Sequence, residues 1–277
     1  MSVSVYRERD GDISRDYELA APAIQTSRSE KALLEMVPTK EFGSAFFLNN
    51  VLQFAEKDEY IYHEMLVHPC MASSDKRERV CILGGGDGCA AREVLKWKEV
   101  THIDIFDWDK RVTEMFEKEY PWMNGWAFHD PRVHCISSDV RSLIHEKYSY
   151  DCIIVDLLDP DESETDLWRS ILDCSRRWIR PGGSIVINAG GILPWRIDSF
   201  NWILQQIESR PSLKRHLYKV FVPSFAREWC FVLLNQENSI ELPSLPDSLE
   251  YLDKTAWNQA YVHGWTKNYQ KTIQGLF

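Results

Sequence analysis

The sequence predicts an α/β fold: a doubly wound, mostly parallel sheet preceded by a small β-rich N-terminal region. Three observations carry this. From residue 80 to residue 234, short apolar runs alternate with helix-patterned stretches. The first of these runs passes into a glycine turn, Gly84-Gly85-Gly86-Asp87-Gly88, and then into a helical stretch. Acidic residues stand at the ends of successive apolar runs, at Asp107, Asp139 and Asp156. Strand–helix alternation of this kind packs crossover helices on both faces of a parallel sheet, with ligands at the carboxyl ends of the strands.

Each element follows from local pattern. Residues 1–30 carry many charges and little periodicity, which predicts a loose start or irregular edge structure. ALLEMVPTKEFGSAFFLNNVLQF has short apolar runs broken by Pro38, Gly43, Asn49 and Asn50, the pattern of two or three strands with turns. In EYIYHEMLVHP, Ile61, Met65 and Leu66 fall at helical spacing and Pro69 is expected to end the helix. Residues 72–79, ASSDKRER, read as a polar linker. Strands are then predicted at 80–83, 101–107, 132–136, 152–155 and 184–188, with a closing pair at 217–222 and 229–234. Helices are predicted near 89–97, 109–120, 140–147, 167–179 and 195–208. Asp109 is placed to cap the second of these, and Pro181-Gly182-Gly183 to stop the fourth. Beyond Asn235, Trp257, Tyr261, Trp265 and Tyr269 recur every four residues and share one face of an expected helix. That face suits docking on the domain, a dimer contact or a lid.

With 277 residues, the chain fits one large domain or a large and a small one, at roughly 150 residues each. The expected division is a small β-rich domain over 1–75, a catalytic domain over 76–240 and a helical tail over 241–277. A formal charge of −10 disfavours sequence-independent nucleic-acid binding and suits a cationic ligand. No apolar run long enough to span a membrane occurs, and MSVSVYRERDGDISRDYELA has no apolar signal core. The seven cysteines are odd in number and include no CxxC pair, so they read as reduced core thiols of a cytoplasmic protein. Eleven tryptophans hint at an aromatic-lined site or interface.

VCILGGGDGCAAREVL carries the strongest chemical signal. Gly84, Gly86 and Gly88 let backbone approach a ligand closely. A lone glycine loop is shared by several nucleotide sites. Asp87 in this turn would repel a pyrophosphate and attract an ammonium or sulfonium. Asp107, at the end of the next strand, is placed to accept hydrogen bonds from ribose hydroxyls or to serve as a helix N-terminal carboxylate, and Asp139, at the end of the third, to accept from an adenine amino group or to act as a turn or cap residue. A buried strand ends at Asp156, with Asp159 three residues on and Asp161, Glu162, Glu164 and Asp166 following. Carboxylates converging there would raise one another's pKa, a repulsion that a polycation or an amine nucleophile relieves. HEMLVH is not HExxH, because its second histidine falls at i+5, so no zinc site is expected.

These residues resemble the polyamine aminopropyltransferases, the spermidine and spermine synthases. ILGGGDG, Asp107 and Asp109 in FDWD, Asp139 and DLLDP carry the resemblance. FGSAFFLNNVLQFAEKDEYIYHEMLVHP is similar to the family's segment joining a small β-domain to the catalytic domain, so the likeness covers roughly 29–235. The family implies a Rossmann-like, methyltransferase-type sheet. It implies decarboxylated S-adenosylmethionine as donor, a polyamine acceptor, no metal, and a homodimer. By position, Gln53, Gly84, Gly86, Asp87, Asp107 and Asp139 would hold the donor. Tyr62, His63, Asp156, Asp159 and Phe225 would meet the acceptor, with Asp156 taking its proton, Tyr62 positioning the amine and Asp87 pairing with the donor ammonium. Several positions depart from the family: Leu157 and Leu158 replace small residues, the glycine–proline lid after Asp159-Pro160 is missing, Ala32 replaces a glutamine, and Phe225 replaces a tyrosine. These departures fall on the acceptor side, and VPSFAREW and ETDLWRSILDCS look closer to animal spermine synthase. Plant putrescine methyltransferases share much of the motif set. An S-adenosylmethionine-dependent N-methyltransferase acting on a small amine, a non-catalytic polyamine or nucleoside binder, and a dinucleotide oxidoreductase therefore stay open.

Overall fold

The computed structural model describes residues 4–260 apart from 12, 193–197, 209–212, 238–239, 241 and 243. Its centre is a seven-stranded sheet. The strands are β7 (Arg79–Gly84), β8 (His102–Asp107), β9 (Val133–Ser137), β10 (Tyr150–Asp156), β11 (Ile179–Ile192), β12 (Lys214–Val222) and β13 (Arg227–Asn235). They lie in the order β12-β13-β11-β10-β7-β8-β9. β9 through β11 pair in parallel, while β13 runs antiparallel to both β11 and β12. The chain winds outward from β7 through β8 to β9, then crosses back to β10 on the other side of β7. Strand order therefore reverses between β7 and β10, and a crevice opens there at the carboxyl ends.

Both faces of this sheet are covered, and alternate residues divide between two cores. Val80, Ile82, Ile103, Ile105, Cys152 and Ile154 point to one cluster, shared with helix α1 (Glu59–Ala72) and helix α2 (Cys89–Leu95). Cys81, Leu83, Phe106, Ile153 and Val155 point to the other, under α4 (Thr165–Trp178) and α5 (Asp198–Glu208). Burial on both faces explains why VCIL and CIIV read as unbroken apolar runs. A third cluster joins α3 (Lys110–Lys118) to the N-terminal sheet through Phe46, Phe54, Met115 and Phe116.

That N-terminal sheet contains β3 (Gln25–Arg28), β4 (Leu33–Thr39), β5 (Gly43–Leu48) and β6 (Val51–Ala55), paired antiparallel in sequence order. The loose start expected for 1–30 is contradicted: β1 (Val5–Asp10) and β2 (Ile13–Glu18) form a hairpin, and β3 follows. The sequence hides this hairpin because its inward positions are Tyr6, Glu8 and Tyr17. The tyrosine hydroxyls donate to carboxylates, Tyr6 to Glu35 at 2.7 Å and Tyr17 to Glu8 at 2.8 Å. The buried polar groups are thus satisfied.

Three further expectations are corrected. Pro69 lies inside α1 rather than ending it. Its missing N–H frees the Met65 carbonyl, and the Tyr218 hydroxyl donates to that oxygen at 3.0 Å. The helix expected near 140–147 is a single 3-10 turn, Val140–Leu143, capped by Asp139. Cys135 is exposed, whereas the other six cysteines are buried, and all seven are free. Asp109 does cap α3, accepting from the Arg111 N–H. In the tail, α6 (Lys254–Ala260) buries Trp257 against Tyr218, their rings 5.1 Å apart. Tyr261, Trp265 and Tyr269 lie outside the described residues.

Candidate functional site

The crevice is framed by backbone. Asp156, last in β10, pairs with Gly84, last in β7. The Gly85 N–H donates to the Asp156 carbonyl at 3.0 Å. Gly84 has φ +83°, and a Cβ there would sit 2.0 Å from that carbonyl oxygen, so only glycine lets the two strand ends meet. Gly88, at φ +82°, turns the chain into α2.

Four candidate side chains, Tyr62, His63, Asp87 and Asp156, converge at this point. The Tyr62 hydroxyl donates to Asp156 Oδ1 at 2.8 Å. Asp156 Oδ2 is buried and has no hydrogen-bond partner among the described residues. Burial pushes the Asp156 carboxyl up to about 6, with Asp87 adding to the shift and His63 opposing it. Like-charge repulsion, the cause expected from sequence, is therefore secondary to desolvation. Burial, followed by the Asp156 charge, drives the Tyr62 phenol well above its ordinary value, so it stays a donor. His63 is buried, with Nε2 3.9 Å from Asp87 Oδ1. Ligating atoms of His63, Asp87 and Asp156 lie within 4.8 Å of one another, close enough to surround one small cation. Glu59, His63 and Cys89 form a second such group. His68 is a separate, structural residue: its Nε2 meets Glu93 at 2.9 Å and its Nδ1 accepts from Trp97 at 3.0 Å.

On one side the site has an aromatic wall. Phe225 and Trp229 stand edge-on to Tyr62, at 6.2 and 6.1 Å, and Phe231 lies at 5.4 Å. The Trp229 indole donates to Asn188 Oδ1 at 2.7 Å, and Asn188 Nδ2 donates to the Leu157 carbonyl at 2.8 Å. Asp159 stands beside Gly190, where an added Cβ would come within 3.4 Å of its carboxyl carbon.

On the other side Asp107 closes the glycine turn. Its Oδ2 accepts from the Gly86 N–H at 3.0 Å and its Oδ1 from the Asp109 N–H at 2.8 Å. Burial pushes this carboxyl up to about 6, against those two bonds. Asp139 is held differently. It accepts the Arg141 guanidinium and backbone N–H, and that pairing lowers its pKa. Both groups leave carboxylate lone pairs for a ligand. Gln53 is not drawn into the cluster: its amide donates to the Val51 carbonyl at 3.0 Å, although the next residue, Phe54, lies 6.2 Å from the His63 ring.

Sequence reasoning missed Glu59, Arg92, Asn188 and Trp229. Glu59 and His63 at i and i+4 on one helix were a readable pair. Arg92 and Asn188 come from other elements and left no local signal.

Residues 59–244 match the family model described as Spermine/spermidine synthase domain. A "Polyamine aminopropyltransferase" of Korarchaeum cryptofilum is 39% identical over 202 residues, covering 72% of this chain and 62% of the relative. "Polyamine aminopropyltransferase 1" of Streptomyces coelicolor is 32% identical over 232 residues, covering 81% and 43%. The chain thus spans about three-fifths or less of the length of these curated relatives. The crystal structure of spermidine synthase from Thermotoga maritima superposes with a TM-score of 0.82 at 20% identity, over 99% of this chain and 95% of that one. A spermidine synthase in complex with the transition state analogue AdoDATO gives 0.84 at 20% identity, over 99% and 96%. At that identity the likeness speaks for the fold.

Proposed function

We propose that this chain, which belongs to the spermine/spermidine synthase family, is an aminopropyltransferase that moves the aminopropyl group of decarboxylated S-adenosylmethionine to a polyamine amine. The observation that carries the reading is Asp156. One of its oxygens is pinned by Tyr62 while the other is buried without a hydrogen-bond partner among the described residues, and an Asp87 oxygen lies within 4.8 Å of the carboxylate. A carboxylate so placed can take a proton from an amine held between it and the donor carbon. The amine lone pair attacks the methylene next to the sulfonium, the carbon–sulfur bond breaks with its electrons passing to sulfur, and methylthioadenosine leaves. The proton passes from nitrogen to Asp156 Oδ2. Asp107 with the Gly86 backbone would hold the ribose, Asp139 the adenine amino group, and Asp87 the donor ammonium. Gln53 is assigned only a peripheral donor contact. Tyr62, Phe225 and Trp229 would line the acceptor's methylene chain, with Asp159 near its charged end.

The hardest requirement is the proton. An alkylammonium has a pKa of about 10, and Asp156 sits at about 6. The transfer is uphill by about 4 pKa units, about 5 kcal/mol. Alignment of the two substrates supplies much of the remaining rate.

We read Asp87 and Asp156 as the ammonium-facing groups of this cluster with His63, and the cluster as a whole as no metal site. Glu59 accepts from His63 Nδ1 at 2.7 Å and raises the ring to about 9, so a metal would have to displace a proton that the carboxylate holds in place. Homodimer formation and a reducing, cytoplasmic setting belong to the same proposal, the latter supported by seven free thiols.

The test is one reaction with both donors, decarboxylated and intact S-adenosylmethionine, and a mixture of diamines and polyamines, read by mass spectrometry. Methylthioadenosine with an acceptor heavier by one aminopropyl unit is expected. S-adenosylhomocysteine and a methylated amine would overturn the reading in favour of a methyltransferase.

A further inference from the structure

Glu59 has no part in the transfer as described, yet it is buried directly behind the site. We infer that Glu59 is a positioning residue that holds His63 as a fixed imidazolium facing Asp87 and Asp156, and that this internal cation favours the neutral, nucleophilic form of the acceptor amine. The kinetic half of the inference rests on the proposed amine transfer, whereas the charge of His63 does not.

Ring geometry carries the argument. His63 Nδ1 has two acceptors on its own helix, the Glu59 carbonyl at 2.8 Å and the Glu59 carboxylate at 2.7 Å. Nδ1 therefore carries a hydrogen in either charge state. Nε2 faces the carboxylates of Asp87 and Asp156, also acceptors. A ring bonded to one carboxylate through Nδ1, with Nε2 3.9 Å from a second and itself 2% exposed, is complementary to the doubly protonated form. Glu59 is in turn fixed by the Arg92 guanidinium, through bonds of 2.7 and 2.9 Å. The groups facing His63 are Glu59 and Tyr62 from α1, Asp87 and Cys89 from the glycine turn and the start of α2, and Asp156 from β10. β6 contributes only the apolar ring of Phe54. Asp107 acts through Asp156, and Arg92 through Glu59. Burial pushes the Cys89 thiol well up, so it stays neutral. Burial also opposes charge on His63, but the Glu59 hydrogen bond and charge override it and raise the ring to about 9.

The consequence concerns the amine. Asp87, Asp107 and Asp156 together favour ammonium and raise its pKa. A cation fixed opposite them works the other way: it lowers the amine's pKa and keeps Asp156 ionised as the base. Loss of the His63 charge should therefore lower kcat without raising the acceptor KM.

The test uses the whole chain and the variants Glu59→Gln and His63→Gln. Nitrogen-15 histidine spectra are recorded without substrate from pH 5.5 to 9. The wild-type His63 ring is expected to stay doubly protonated through pH 8, and in Glu59→Gln to titrate near the ordinary value of about 6.5. At pH 7.5, each variant is expected to lose about tenfold in kcat with the acceptor KM unchanged or lower. The double variant should lose no more than either single one, because both act through the same charge. A neutral His63 in the wild type at pH 7 overturns the proposal whatever the kinetics. A His63 still charged at pH 8 in Glu59→Gln overturns the role of Glu59. Additive losses, or a raised KM at unchanged kcat, overturn the effect on the amine. If no aminopropyl product forms at all, the proposed function fails while the spectra still decide the charge.

Discussion

Replacing Asp156 by asparagine is expected to make the protein more stable and nearly inactive. In the folded chain the Asp156 carboxyl is raised from 3.8 to about 6, mainly by burial. A folded pKa above the unfolded one means that the native state binds more protons between those two values. The stability this group contributes is complete below pH 3.8 and is lost as pH rises through about 6. The shift of about 2 pKa units corresponds to about 3 kcal/mol at neutral pH. Part of that is returned because the Asp156 charge also supports His63, so about 1–3 kcal/mol is the expected gain for Asp156→Asn. The substitution is sterically conservative. Its carbonyl oxygen can keep the Tyr62 bond. At this chain length each kcal/mol moves Tm by about 2–4 °C. Urea unfolding at pH 7.5 and pH 5 is the assay. The gain should be full at pH 7.5 and about half as large at pH 5, the value set by the two pKa values. Turnover should fall by about 10²–10⁴, the usual loss when a positioned base is removed. The wild-type kcat/KM should also show an acid limb near pH 6. A variant less stable than wild type, or a gain independent of pH, would refute the claim that this carboxylate is held at a cost. Residual turnover above a tenth would refute its role as base.

Two more substitutions test the frame. An added Cβ in Gly86→Ala would sit 2.6 Å from Asp107 Oδ2, without the positive φ that makes Gly84 irreplaceable. The variant is expected to fold with an unchanged Tm while the donor KM rises about tenfold, a loss typical of one charge-assisted contact; an unchanged KM would remove Asp107 from the donor site. Glu64, fully buried, accepts from the N–H groups of Glu250, Tyr251 and Leu252 at 2.7, 2.9 and 2.8 Å. Glu64→Gln puts a donor against donors and should cost about 2–4 kcal/mol in urea unfolding, with faster amide exchange at 250–252; an unchanged midpoint would show that this strap contributes nothing.

What the sequence reveals follows from where each feature's cause lies. The central sheet was legible because its strands are buried on both faces and its turns carry glycine, both local signals. Asp107 and Asp156 were legible because a strand end in this topology is a crevice position. The β1–β2 hairpin was not, because its inward residues are tyrosines and a glutamate whose partners lie in other strands. Pro69 looks like a helix end in sequence because the group that replaces its lost bond, the Tyr218 hydroxyl, lies 153 residues beyond the Met65 carbonyl it reaches. Asp139 reads from sequence as either a ligand acceptor or a turn cap; its cap on the 3-10 turn is there, but its pairing with the Arg141 guanidinium depends on that turn replacing the expected helix. Glu59 escaped notice because its importance lies in Arg92 and in the direction of the His63 ring.

The two leucines after Asp156 fall outside the proposed reacting groups, although the family resemblance leads to an expectation of small residues there. Leu157 packs into the core under α4 and α5, and the absent Cβ of Gly84 makes room for it, since that atom would lie 2.9 Å from Leu157 Cδ2. Leu158, 58% exposed, turns to solvent. Under the proposed function, the groups that would face the acceptor are sorted by chemistry, with the rings of Tyr62, Phe225 and Trp229 together and the carboxylates of Asp156 and Asp159 beyond them. A chain of methylenes studded with ammonium groups has the same sorting, apolar segments against rings and charges against carboxylates or ring faces. Phe225, lacking a tyrosine's hydroxyl, adds area to the wall and no hydrogen bond. Phe225→Tyr is therefore expected to change the relative kcat/KM among polyamines of different length while leaving the donor KM as it is. A shift in donor KM instead would place this ring on the wrong substrate.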